Sequence, residues 1–128
     1  MDTKVARMPA IVRVSKRSKY GVRQDAAGKL ARTYRGVLYD SAAEARYAAQ
    51  LDTDPTVIGW TRQNRYYLMV NGKSVGALVM DFEVKYTDGT YASVDVKGVE
   101  TTVWKLKRKL FEAIYGRKIT VIPAKDVR

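Results

Sequence analysis

Cysteine and histidine are both absent from this chain. Without cysteine there is no disulfide framework. Without either residue there is no zinc site of the usual Cys/His kind and no triad that uses imidazole as its base. No apolar run is long enough to span a bilayer, and the N-terminus lacks the apolar core of a signal peptide. The expectation is therefore a protein of the cytoplasm with no membrane partner. Acid is also in short supply: 13 Asp and Glu face 24 Lys and Arg, a net charge of +11.

Hydrophobic residues make up 46% of the 128 residues, enough for one folded domain with one modest core. The positive charge is uneven. Residues 1–35 hold ten Lys or Arg and two Asp, whereas residues 36–128 are nearly balanced. This pattern reads as a basic, flexible arm over residues 1–33, including Lys16, Arg17 and Lys19, ahead of a domain over 34–128. Such an arm suits a polyanion, with nucleic-acid phosphate first among the candidates.

The segment "TYRGVLYD" reads as a short strand pair. "SAAEARYAAQLD" reads as a helix, capped by Ser41 with Glu44 three residues on as in a capping box, and ended before Pro55. Three strands follow: Val57 to Val70, "VGALVMDFEVKY" and "YASVDVKG". "TTVWKLKRKLFEAIYG" has a Thr cap and a Gly stop, and "RKITVIP" is a last strand. The order helix, three-stranded antiparallel meander, helix, final strand predicts an α+β fold with a central mixed sheet flanked by helices.

The turn "TDGT" permits two registers. A two-residue Asp-Gly turn sets Phe82 opposite Asp95 and mixes apolar and charged residues on both faces. A three-residue loop, with Gly89 left-handed, pairs Tyr86 with Thr90 and sets Phe82 opposite Val94. Only the second segregates the faces, so burial selects it. It also places Asp81 opposite Asp95 and Glu83 opposite Ser93. Opposed Cβ atoms stand roughly 4.5–5.5 Å apart, so the two aspartates repel unless a cation joins them; a hard one such as Mg²⁺ prefers oxygen ligands. Lys97 lies on the same face, roughly 6.6 Å further along, within reach of an anion beside that cation. Taken alone, the hairpin is better read as a solvated charged face, which is common in antiparallel sheets.

Projected at about 100° per residue, the second helix shows an apolar arc of Val103, Leu106, Leu110, Phe111 and Ile114. Lys105, Arg108, Lys109 and Glu112 fall mostly outside it. Lys107 falls inside, where it either snorkels or meets an acid or a phosphate. Glu44 sits on the sheet-facing side of the first helix, where capping explains it and a metal site does too.

An acid ending an apolar strand ("LVMD"), a hairpin, then acid-x-lysine ("DVK") resembles the PD-(D/E)XK nuclease superfamily. "YDSAAEARY", "RQNRYYL", "DFEVKYTDG", "VDVKG" and "KLKRKLFEAIYG" resemble, more closely, a family of small phage-associated proteins placed in that superfamily. The likeness covers about residues 34–122, and Met80 stands where the family pattern has proline. It implies an α/β restriction-endonuclease-like core and metal-dependent cleavage of DNA, on branched or recombination intermediates in a phage context, within a bacterial host cell. Asp81, Asp95, the Val96 carbonyl and Glu44 would hold Mg²⁺ or Mn²⁺, and Lys97 would activate water. Gln63 and Lys107 match polar positions of relatives. With Lys105, Arg108 and Lys109 they would contact DNA, and since some such families are dimeric the resemblance allows a homodimer. The competing expectation is a nucleic-acid-binding protein with a degenerate nuclease core and no catalysis.

Overall fold

The computed structural model describes residues 24–128. Lys16, Arg17 and Lys19 lie outside the described residues. The first element is helix α1 (Ala26–Ala31), with the Asp25 carboxylate accepting the Gly28 N–H at 2.8 Å. Next comes a small hairpin of β1 (Thr33–Tyr34) and β2 (Val37–Leu38). Arg32 is buried and ties this region down, donating to the Tyr39 carbonyl at 2.8 Å and to Gln24 Oε1 at 2.7 Å. Both α1 and Arg32 fall in the span expected to be arm, so described structure reaches back to Gln24 rather than starting at residue 34. A six-residue helix without an apolar stripe leaves no periodic signal in the sequence.

Helix α2 (Ala42–Thr53) starts where expected: Ser41 Oγ accepts the Glu44 N–H at 3.1 Å. The Glu44 carboxylate also reaches back to the cap, its Oε2 accepting the Ser41 hydroxyl at 3.1 Å. Strands β3 (Val57–Val70), β4 (Lys73–Tyr86) and β5 (Tyr91–Lys97) form the antiparallel meander. Helix α3 (Thr102–Tyr115) then crosses over to β6 (Ile119–Pro123), which lies parallel to β5. The spatial order β3-β4-β5-β6 is the mixed, helix-flanked sheet that the sequence predicts, in an α+β fold.

The hairpin register is the three-residue-loop one. Phe82 faces Val94, Glu83 faces Ser93, Val84 faces Ala92, and the Tyr86 N–H donates to the Thr90 carbonyl at 2.9 Å. Gly89 sits at φ +88° with open space where a Cβ would go. Gly89→Ala therefore meets no clash and costs only the left-handed backbone of a non-glycine residue, about 1–2 kcal/mol; urea unfolding of the variant checks this.

Two cores lie on opposite faces of the sheet. On one, α2 packs Tyr47, Ala48 and Leu51 over Phe82, Val94 and Val96. Phe82 is the hub, its ring centroid 5.0 Å from Tyr47, 5.5 Å from Trp60 and 6.2 Å from Tyr39. On the other, α3 packs Trp104 and Phe111 over Leu68, Leu78 and Met80. The roll of α3 differs from the predicted arc. Val103 is 63% and Leu106 58% exposed, while Trp104 and Phe111 are buried. Trp104 and Phe111 lie one heptad apart and pack on the same core, so the buried face is centred on these two rings rather than on Val103 and Leu106. Phe111 also meets Tyr66 edge-on at 5.0 Å.

Candidate functional site

Because Val94 and Val96 point into the α2 core, strand alternation turns Asp95 and Lys97 to the α3 face. Both are buried, at 2% and 8% exposure. The Lys97 ammonium lies 3.0 Å from Asp95 Oδ2 and 4.6 Å from the centre of the Trp104 ring. Asp95 Oδ2 accepts no well-formed hydrogen bond, so the lysine charge is what stabilises it. The acid and the lysine of the motif thus share a face and touch.

Asp81 occupies a different kind of position. Arg62 pairs with Phe82 and Asn64 with Met80, which leaves Gln63 opposite Asp81 without a ladder pair. Gln63 has φ +59°, left-handed backbone inside a long strand. Across this break the alternation shifts: Phe82 belongs to the α2 core, yet Met80, two residues earlier, belongs to the α3 core. The ladder between β4 and β5 ends at the same place, at Phe82 and Val94. Beyond it Asp81 Oδ2 replaces a backbone acceptor, taking the Val96 N–H at 2.9 Å. Asp81 therefore enters the gap between the two strands that carry the site, 2% exposed, just past the last ladder pair; the expected pairing of Asp81 with Asp95 is not part of the ladder, because the strands part there. Non-glycine residues held left-handed cost about 1–3 kcal/mol and cluster at functional sites.

Glu83, the other acid on this face, is already engaged. It accepts the Ser93 hydroxyl at 2.8 Å, is hydrogen-bonded by Tyr66, and faces Arg117 at 3.6 Å. Burial, then the Glu83 carboxylate, pushes Tyr66 up to about 12, so the phenol is a neutral donor to that acid. Glu44 is 1% exposed on α2, its carboxylate at the Ser41 cap. Among the described residues no three acidic side chains gather closely enough to form a metal cage. The expected joining of Glu44 to the two aspartates is not seen as such a cluster.

Asp95 and Lys97 line an open pocket of ≈ 290 Å³ with Leu78, Thr101, Trp104 and Lys107. Lys107, half-buried, also lines it, near Gly76. Lys105 and Lys109 are exposed on α3, whereas Arg108 is half-buried and pairs with Glu112 at 3.3 Å. Trp60 is a core residue, its indole N–H donating to Asp52 at 2.9 Å. Sequence reasoning did not place Trp104 in the site and took Thr101 only as a candidate cap, which it is: it accepts the Trp104 N–H at 3.1 Å.

No helix among the described residues is long and apolar enough to cross a membrane. Neither the curated proteins nor the solved structures contain a significant match to the chain. The DUF1064 family, described as a protein of unknown function, matches residues 17–125, from within the basic segment through β6 and including every strand and helix of the site. The chain belongs to the DUF1064 family.

Proposed function

We propose that the protein is a metal-dependent DNA endonuclease that hydrolyses phosphodiester bonds. The observation that carries this reading is the buried Asp95–Lys97 pair at 3.0 Å in an open pocket, beside the strand gap that Asp81 enters. An antiparallel meander, a crossover helix and a parallel fourth strand, with α2 and α3 on opposite faces, support a restriction-endonuclease-like core. Asp81 and Asp95 would hold Mg²⁺ or Mn²⁺, with the Val96 carbonyl as a further ligand. The donor set fits: Mg²⁺ is commonly bound through one or two carboxylates plus substrate phosphate, and Asp95 Oδ2 is a buried acceptor without a hydrogen bond. The cation supplies acidity to water and neutralises charge on the phosphate.

The chain's own residues do the rest. Lys97, held against the Trp104 face, orients the attacking water and stabilises charge on the phosphate oxygens. Gln63 is fixed opposite Asp81 by the strained turn of β3 and contacts the strand being cut. Lys105, Lys109 and Arg108 on α3, with Lys16, Arg17 and Lys19 of the basic segment, follow the DNA backbone. A homodimer would bring two such sites to the two strands of a branched intermediate.

A second reading, a non-catalytic nucleic-acid-binding protein on the same core, draws on the net charge of +11, which needs no catalysis to attract DNA. It predicts that Asp81→Ala leaves DNA binding intact or strengthens it and that no cleavage accompanies it. The deciding experiment incubates the protein with supercoiled plasmid, a four-way junction and single-stranded DNA, in Mg²⁺, in Mn²⁺ and in chelator. At least one substrate is cut with metal and none without. Failure to cut any of them with either metal overturns the endonuclease.

A further inference from the structure

Strand β4 is paired on both sides for only part of its length. From Phe82 to Lys85 it pairs with β5, and beyond that Asp81 reaches the Val96 N–H. Towards its start it pairs with β3 alone among the described residues. Its other edge along "SVGALVM", residues 74–80, therefore presents backbone N–H and C=O groups that no described strand takes up. Proteins blunt such edges with lysine, proline, bulges, short length or a cover, because an open edge templates a further strand. This run contains neither a charged residue nor a proline.

The pocket lies along that edge. Ala77, Leu78 and Val79 all line it. Successive strand residues point to opposite faces, so a cavity bounded by all three runs beside the backbone. Val99 and Val103 also line it, and both, like Val75 on the edge itself, are more than half exposed. Of the charged residues in the lining, Asp95 is compensated by Lys97, which leaves Lys107, close to Gly76, in excess. Lys73 stands at the head of the strand. Neither Lys73 nor Lys107 makes an ion pair among the described residues.

These features select the occupant. Donors and acceptors in alternation are matched by another extended peptide backbone. The backbone of DNA offers acceptors alone and would leave the C=O groups unmet. A second copy of this chain would set its own Lys73 and Lys107 against the same charges. Residues 1–23 hold seven Lys or Arg against one Asp, so they too meet like charge. We propose that the open edge of β4 docks an acidic, extended segment of a partner protein, which adds to the sheet as a strand beside residues 74–80 with its carboxylates at Lys73 and Lys107. The docking is independent of the nuclease reading. Because the groove is also the pocket of Asp95 and Lys97, a docked strand and a DNA strand at those residues exclude one another.

The test uses the full chain in chelator and three synthetic peptides. The first alternates valine and threonine with glutamate pairs at both ends. The second replaces the glutamates by lysines. The third is the first with every backbone nitrogen methylated, which keeps the charge and removes the N–H groups. Calorimetry measures binding, and NMR hydrogen exchange follows the amides of residues 74–80. The acidic peptide is expected to bind saturably and to slow exchange of those edge amides that β3 does not take up. The lysine peptide binds at least about tenfold more weakly, and the methylated one does not bind. In the charge-reversed double variant Lys73→Glu/Lys107→Glu the preference between the first two inverts; should that variant not fold, the three peptides on wild type decide alone. No saturable binding of the acidic peptide, or equal binding of either control, overturns the proposal. So does protection of the edge amides in the free chain: protection that rises with concentration assigns the edge to a second copy, and constant protection assigns it to residues 1–23. Protection by an oligothymidylate and not by the acidic peptide assigns it to DNA and likewise overturns it. A chain that docks the acidic peptide yet cuts no DNA with metal would refute the nuclease and keep the docking site.

Discussion

Lys97→Met is expected to lower metal-dependent cleavage by at least about 10²-fold and to destabilise the fold by about 3–5 kcal/mol, with Mg²⁺ restoring the stability and not the activity. The first effect follows from losing a positive donor aimed at developing charge. The second follows from burial: Asp95 is 2% exposed, and the lysine 3.0 Å away is the cation that compensates it. Removing one member of a buried pair leaves the other charge uncompensated, which is the expensive case. A divalent cation binding the folded state at Asp95 takes over that compensation and stabilises by mass action, about 2.7 kcal/mol at a hundredfold excess over Kd. Asp95→Ala provides the contrast. It loses cleavage to the same extent, but Mg²⁺ gives it no stabilisation because the ligand is gone. Thermal melts of both variants with and without Mg²⁺, beside cleavage rates, separate the outcomes. If Lys97→Met melts like wild type, or Asp95→Ala still cuts like wild type, the pair does not have the role given to it.

Phe82→Ala is expected to cost about 3–5 kcal/mol, enough to unfold a marginal domain at physiological temperature. Phe82 is fully buried and its ring is surrounded by Tyr39, Tyr47 and Trp60, contributed by three different parts of the chain. Truncation removes the ring from all three contacts at once, and collapse is resisted because each neighbour is held elsewhere; Trp60, for one, is bonded to Asp52. The same residue anchors the last ladder pair before the Asp81 break, so loosening it also loosens the site. Phe82→Leu keeps most of the volume and should cost much less. Guanidinium unfolding of both measures the difference; a loss below about 1 kcal/mol for the alanine variant would mean that the cluster is not the centre of that core.

Much of this was legible because some residues have only one physical use. Gly89 permits the left-handed position of a three-residue loop, and with the face segregation of Phe82, Val84 and Val94 it settled the register. Ser41, Thr101 and Gly116 mark helix ends by side-chain or left-handed caps, and all three do so in the structure. That Asp95 and Lys97 share a face followed from strand alternation, whereas singling them out as a site rested on the family resemblance. The roll of α3 did not, because a periodic projection weighs hydrophobicity on one helix and is blind to which rings the opposing sheet offers. Lys107 was singled out from an arc of which Val103 and Leu106 proved exposed and Phe111 buried, and its half-buried place in the pocket comes from lying beside Trp104 on the packed face. Gln63 carries no sign in the sequence of its backbone conformation. Asparagine or glycine would have signalled a break, but glutamine does not. The neighbouring shift of Met80 and Phe82 to opposite cores was invisible for the same reason.

The central claim is that Asp81 and Asp95 share one cation. An anomalous-scattering map from a Mn²⁺-soaked crystal tests it. The expected result is a peak within about 2.5 Å of a carboxylate oxygen of each residue, with the Lys97 ammonium moved off Asp95. A peak touching only one aspartate, or no peak at saturating Mn²⁺, contradicts it.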